Sequence, residues 1–309
     1  MKHRAVIIAT ILFLIFVFSS HAQKDDFPIL TGSYLGQKPP EMTPEIFAPE
    51  ILQANPSWFW HGSPVFSPDG NEMYWTKYVV NKGMRLWHMV QKGNNWLVPK
   101  KAPFASDCNE NNPIYSKDGN TIYYISEKAG VSLFFVNRTP SGWSLPKNIA
   151  LQIPENTNFG WEFSFAKDLE LYIPLMNDNH FDLYYATSTK GRYTDFKNMG
   201  SKINSLNSET TPFVDPDKQF IIYSSNRPDG FGGADLYISF RNSDDTWTES
   251  LNMGIEINSA SNDLWPSVTS DRKYFFFCRL DRAKKGYQPY WVDAKIIEEL
   301  SKNFPCERE

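Results

Sequence analysis

The chain is 309 residues long, with 31 Lys and Arg against 35 Asp and Glu, a formal net charge of −4. That balance excludes the basic face on which nucleic-acid partners depend. A 16% aromatic share, with ten Trp, excludes a polar disordered chain and suits stacked sheets.

Lys2 and Arg4 make a short basic start, followed by an apolar run from Ala5 to Phe18 and a small-residue exit at Ser19, Ser20, His21 and Ala22. This is the pattern of a secretory signal peptide over residues 1–22, cleaved near Ala22, and it predicts a periplasmic or secreted protein. The run is shorter than the roughly 20 residues of a spanning helix, and no later stretch is apolar enough, so no transmembrane anchor is expected. No cysteine follows the run, so no lipid anchor is expected at the cleavage site. Residues 23–44, with Pro28, Pro39, Pro40 and Pro44, read as an irregular N-terminal arm.

From residue 45 to 300 the chain reads as one domain of repeats. Pro64-Val65-Phe66-Ser67-Pro68-Asp69-Gly70, Pro113-Ile114-Tyr115-Ser116-Lys117-Asp118-Gly119 and Pro212-Phe213-Val214-Asp215-Pro216-Asp217-Lys218 share one pattern. Phe163 to Leu169 and Pro266 to Arg272 are degenerate copies. The shared aspartates, Asp69, Asp118, Asp168, Asp217 and Asp271, are spaced by 49, 50, 49 and 54 residues. A fixed period near fifty residues means a solenoid or a propeller.

Each aspartate is followed by an aromatic or β-branched strand, such as Ile122-Tyr123-Tyr124-Ile125 or Tyr274-Phe275-Phe276-Phe277, then a variable loop and a second strand, such as Asp235-Leu236-Tyr237-Ile238-Ser239. A third begins near Trp96, Trp143, Tyr193 or Trp247. Together with the segment before the aspartate this makes four strands per repeat, the content of one propeller blade. The aspartate and glycine serve the tight turn, one through its side chain and the other through positive φ.

The expected fold is therefore all-β: a five-bladed β-propeller of four-stranded antiparallel blades near 57–105, 106–155, 156–205, 206–258 and 259–295. The fifth repeat lacks its own Trp-led outer strand, because Tyr290-Trp291-Val292-Asp293 runs into the amphipathic helical pattern Ala294 to Leu300. The strand at residues 45–52 is expected to pair there and close the ring, removing exposed edges. Residues 301–309 form a tail.

Ser67-Pro68-Asp69-Gly70 and Asn226-Arg227-Pro228-Asp229-Gly230-Phe231-Gly232-Gly233-Ala234-Asp235-Leu236-Tyr237 resemble the TolB-type, WD-like propeller repeat of bacterial exported proteins, over roughly residues 45–295. The resemblance implies the fold; related propellers serve as interaction platforms, ligand binders and, occasionally, enzymes.

In a propeller the loops entering each innermost strand gather on one face around the central channel, the default ligand site. Here they carry His61, Glu110, Glu162, Glu209 and Asp263, with Trp58, Trp60, Trp161 and Trp265. The candidate ligand-binding set is His61, Glu110, Trp161, Glu162, Glu209, Asp263 and Trp265, an acidic funnel with an aromatic rim suited to a sugar or a cation. The alternative is that these side chains bond neighbouring blades. An acidic residue three places before the first-strand proline recurs in Glu110, Glu209 and Asp263, and recurrence favours a structural role.

Asn226 to Gly233 reads as a turn between strands rather than a phosphate cradle. The Asn177 to His180 loop and the basic stretch Arg279, Arg282, Lys284 and Lys285 read as solvated surface. His61 and His180 are too few for a metal site, and no cofactor is expected. Cys108, Cys278 and Cys306 allow at most one bridge and read as unpaired thiols.

The functional expectation is a non-catalytic binding or interaction module, monomeric, with a protein partner or a glycan-type ligand at the funnel. The alternative is a carbohydrate-active enzyme using carboxylates around the axis, Glu110, Glu162, Glu209 and Asp263. Five-bladed glycosidases carry a carboxylate on each of their first three blades, whereas the first repeat here offers His61. No nucleophile motif is present.

Overall fold

A computed structural model describes residues 27–49, 57–128, 130–284 and 286–302. The signal peptide and its cleavage near Ala22, the start of the arm, the end of the 45–52 strand, Lys285 and Cys306 lie outside the described residues.

The fold is an all-β propeller. Each repeat sends its chain through an antiparallel hairpin pair, for instance Glu110–Tyr115 with Thr121–Ser126 and Thr121–Ser126 with Ser132–Thr139. The middle strands are continuous apolar runs because both faces are buried, and their residues alternate between neighbours with the two-residue period of a strand. Met73 and Trp75 pack toward the fifth repeat while Tyr74 packs toward the second. Ile122 and Tyr124 face the first repeat, Tyr123 and Ile125 the third. Phe220 and Ile222 face the fifth, Ile221 and Tyr223 the third. Five apolar clusters result, each between two repeats, and one joins Trp60, Met73 and Trp75 of the first repeat to Phe276 and Trp291 of the fifth.

Sheet grouping differs from the expected five separate blades. The described strands form four sheets of four or more strands, because the first and fifth repeats share one ten-stranded sheet, joined where Trp60 pairs with Tyr287. Glu45–Ile46 pairs antiparallel with Gly286–Asp293, Glu45 opposite Trp291 and Ile46 opposite Tyr290. The outer strands Lys100–Lys101, Lys147–Asn148, Lys197–Asn198 and Leu251–Asn252 pair at the corresponding positions of their own repeats. Phe47 follows directly into the core, 1% exposed, edge-on to Phe276 and Trp291. The short helix after the last strand is Lys295–Ser301, with Ile297 buried.

Turns between the first two strands of each repeat are built by the recurrent aspartates. Asp69 accepts bonds from Ser67 Oγ and the Asn71 amide, and Asp118 from Ser116 Oγ and the Asn120 amide. Thr269 and Lys273 serve Asp271 alike. Gly119 sits at φ +72, and a Cβ there would lie 2.9 Å from the Pro68 ring. Leu169, Lys218 and Arg272 hold the same left-handed conformation without glycine's freedom, at a cost of roughly 1–2 kcal/mol each. The fourth repeat departs from this plan: Asp215 stands where the first, second and fifth place Ser or Thr and the third Ala166, and it takes the amides of Asp217 and Gln219.

Candidate functional site

Glu110, Glu209 and Asp263 are not brought to the channel. Each is buried, at 1%, 0% and 0% exposure. Each accepts both the amide and the hydroxyl of a serine four residues earlier: Ser106 for Glu110, Ser205 for Glu209 and Ser259 for Asp263. A second donor comes from the neighbouring strand: Ser126 on Glu110, Ser225 on Glu209, and Arg279 Nε at 2.7 Å on Asp263. The Ser-x-x-x-acid brace holds the loop entering each of these three repeats. It leaves these carboxylates facing their own blade, which corrects the expected acidic funnel.

After each brace the strand carries a β-bulge, between Asn111 and Ile114, Thr210 and Phe213, and Leu264 and Ser267. The bulged residues Asn112, Thr211 and Trp265 take φ of 52°, 47° and 53°. For a β-branched Thr and a bulky Trp that conformation is costly, and the bulge imposes it so that the side chain turns toward the axis. Glu162 and Ser63 hold the same place, directly before the residue aligned with the proline. Ser63, Asn112, Glu162, Thr211 and Trp265 together line the upper channel, around a cavity of about 40 Å³. Adjacent repeats are stitched here: Asn111 donates to the Trp161 carbonyl, Ser63 to that of Trp265, and Ser224 to that of Asp263.

Glu162 is the one carboxylate among the residues lining that cavity. It is half-buried, and burial pushes its pKa up to about 7, although the Trp265 indole and the Trp161 amide both donate to it. His61 lies against the other side of Trp265, ring centroids 4.6 Å apart, and burial pulls its pKa down to about 4. Trp265 packs edge-on to Tyr287 at 4.7 Å. Of the sequence candidates, the fold thus gathers Glu162, Trp265 and His61 at one mouth, with Trp161 adjoining through its backbone.

Ser63, Asn112 and Thr211 were missed. Their signal was the position just before the first-strand proline, the same in each repeat. Trp60 is core, and Trp58 is half-buried with Trp87 about the Lys77 ammonium, 3.9 Å and 4.2 Å from the ring centroids. Burial lowers the pKa of Lys77 to about 8. Arg279 is not solvated surface as expected, because it pairs with Asp263, donates to the Ile257 carbonyl and covers the Tyr290 ring. The glycine-rich turn folds around Asp235, which accepts the Phe231 and Gly232 amides. His180 lies 3.6 Å from Asp182. Cys108 and Cys278 are free thiols, and no group of three metal-ligating side chains occurs among the described residues. None of the described helices is long and apolar enough to cross a membrane.

A second cavity, of about 150 Å³, opens on the opposite, tight-turn face. Val65, Ile114, Ser164, Phe213 and Ser267 line both cavities and form the waist between them.

No protein-family model matches the sequence, and no curated protein matches it at a significant level. Among solved structures, a protein from Agrobacterium tumefaciens assigned as TolB superposes with a TM-score of 0.50 at 18% identity, covering 79% of each chain. TolB from Acinetobacter baumannii gives 0.46 at 13% identity, over 77% of this chain and 50% of that one. An oligogalacturonate lyase from Vibrio parahaemolyticus gives 0.44 at 11%, over 82% and 72%. Identities this low carry the fold alone, and the fold is that of a TolB-type β-propeller.

Proposed function

We propose that this chain is an exported, non-catalytic binding module: a five-bladed ring closed by the Glu45–Ile46 strand, monomeric, that receives a protein partner at the mouth framed by Glu162, Trp265 and His61. Five inter-repeat clusters and the pairing of Glu45–Ile46 with the fifth repeat support the ring. The observation that carries the function is the removal of Glu110, Glu209 and Asp263 from the axis. Hydrolysis of a glycoside between two carboxylates needs both in one open site about 5 to 9.5 Å apart, and these three are spent on serine and arginine donors within their own blades. The upper cavity, at about 40 Å³, is also too small for a sugar ring, so a partner docks over the mouth rather than inside it. Aromatic and half-buried polar groups at a rim are the composition of an interface anchor.

One observation favours an enzyme instead: a carboxyl held near neutrality is suited to donate and accept protons. The two readings separate cleanly. A photo-crosslinking side chain at exposed Asn158, in the short strand Thr157–Phe159 that enters the third repeat, is expected to trap a periplasmic protein that one at exposed Leu145, on the outer edge, does not. Turnover of a glycoside or uronide, abolished by Glu162→Gln, would overturn the binding reading.

A further inference from the structure

On the tight-turn face, Asp217 of the fourth repeat meets three cations from three other repeats. Lys167 Nζ lies 2.6 Å from its carboxylate, Lys117 Nζ 3.2 Å and an Arg272 amino group 2.9 Å. Asp217 is available because Asp215 has taken over the turn, so the aspartate that elsewhere braces its own loop is turned to the channel mouth. Arg272 also pairs with Asp215, at 2.8 Å. Among the residues that line the cavity behind this mouth, three cations therefore stand against two carboxylates. The Lys117 and Lys167 side chains are more than half exposed, at 54% and 57%. Directly inside the rim lies the cavity of about 150 Å³, with Ile114, Phe165, Phe213 and Val268 in its walls. An apolar cavity of about that volume accommodates a benzene ring.

We propose that this mouth is a binding site for a small monocarboxylate with a compact apolar body, its carboxylate bridging Lys117 and Lys167 and its body seated on Phe165 and Phe213. Asp217 is the resident counter-ion of the site. The hydrogen bonds from Lys167 and Lys117 hold its pKa down at about 2, so it stays ionised and competes with the incoming carboxylate at every working pH. The surplus cation accounts for the choice of a monoanion, and the apolar wall for the choice of body. A bare inorganic anion finds charge but leaves the cavity unfilled. A neutral aromatic fills the cavity but forgoes the charge.

Benzoate is the probe, with acetate, inorganic phosphate and benzyl alcohol as controls, titrated by calorimetry into the full mature chain. Benzoate is expected to bind saturably, at least tenfold tighter to Asp217→Asn than to the wild type, with affinity falling as salt rises. Lys117→Ala with Lys167→Ala abolishes binding at surface positions that leave the fold intact. Val268→Phe fills the cavity and abolishes binding without altering any charge, while its thermal unfolding shows whether it folds. The proposal is overturned if benzoate fails to bind Asp217→Asn, if the double lysine variant binds as well as the wild type, or if phosphate or acetate binds as tightly as benzoate.

Discussion

Glu162→Gln replaces the axial carboxylate with its neutral isostere, and its effect on stability should depend on pH in a defined way. In the fold Glu162 ionises near pH 7, against about 4.5 for the ordinary side chain. Below pH 4.5 the residue is neutral in the folded and the unfolded chain, and the substitution changes little. As pH rises from 4.5 to 7 the unfolded chain releases this proton and the folded chain resists, so the wild type loses stability; above 7 the loss is complete. At about 1.4 kcal/mol per pH unit, that interval amounts to at most about 3 kcal/mol, given a half-buried group. His61 titrates in the opposite sense: the fold favours its neutral ring, and the stability it gives is lost as pH falls from 6.5 through about 4. That contribution is common to both proteins and drops out of the difference. Urea unfolding of the two proteins at pH 4, 6 and 8 reads the result. The Gln variant should match the wild type at pH 4 and exceed it by about 2–3 kcal/mol at pH 8. Equal stability at pH 8, or the same gain at pH 4, refutes a desolvated axial carboxyl.

Phe47→Ala should cost about 3–5 kcal/mol in chemical unfolding, the range for deleting a buried phenylalanine, because its ring lies between Phe276 and Trp291; a loss below about 1 kcal/mol would detach the N-terminal strand from the ring. Arg279→Met should cost about 3–5 kcal/mol by stranding the buried Asp263 carboxylate, and adding Asp263→Asn should recover much of it; no recovery would mean that Arg279 acts through its cover of Tyr290. Trp265→Ala should open His61 to water and raise its pKa from about 4 toward 6.5, followed by the ring proton shifts in an NMR titration; an unmoved pKa would place the desolvation elsewhere.

Much of the fold was legible because its code is local. The Asp69 to Asp271 period marks the turns, and runs such as Ile122 to Ile125 are apolar at every position because both faces of a blade are covered. Sharing of one sheet by the first and fifth repeats was not legible, since it rests on a single contact, Trp60 with Tyr287, across most of the chain. The site was half legible. Collecting the acidic residues of the entering loops mixed two registers: Glu110, Glu209 and Asp263 stand three places before the first-strand position, Glu162 one place before it. A bulge separates those two places in the second, fourth and fifth repeats, and in the third Glu162 lies in the break between the strands Thr157–Phe159 and Ser164–Phe165. The serine four residues before each of Glu110, Glu209 and Asp263 was a usable signal for the brace. The partnership of Arg279 with Asp263 was not, because it depends on strand register.

The third and fourth repeats, which depart from the common pattern, are the ones that place carboxylates on the channel. The third has Gly160 where the second, fourth and fifth have a braced acid, and a Cβ there would meet the Pro174 ring at 2.7 Å; its carboxylate stands two residues on, at Glu162 on the channel wall. In the fourth repeat the turn is given to Asp215, and Asp217 is released to the opposite mouth. The first departure puts a carboxyl where burial raises the cost of its charge, whereas the second gives Asp217 three cationic partners. A serine at 215 would brace the turn as Ser67 and Ser116 do, but it would not pair with Arg272 as Asp215 does. Local rules broken without a stabilising return are where a folded chain is expected to carry its function, and by that rule Glu162 marks the mouth at which we propose that a partner docks.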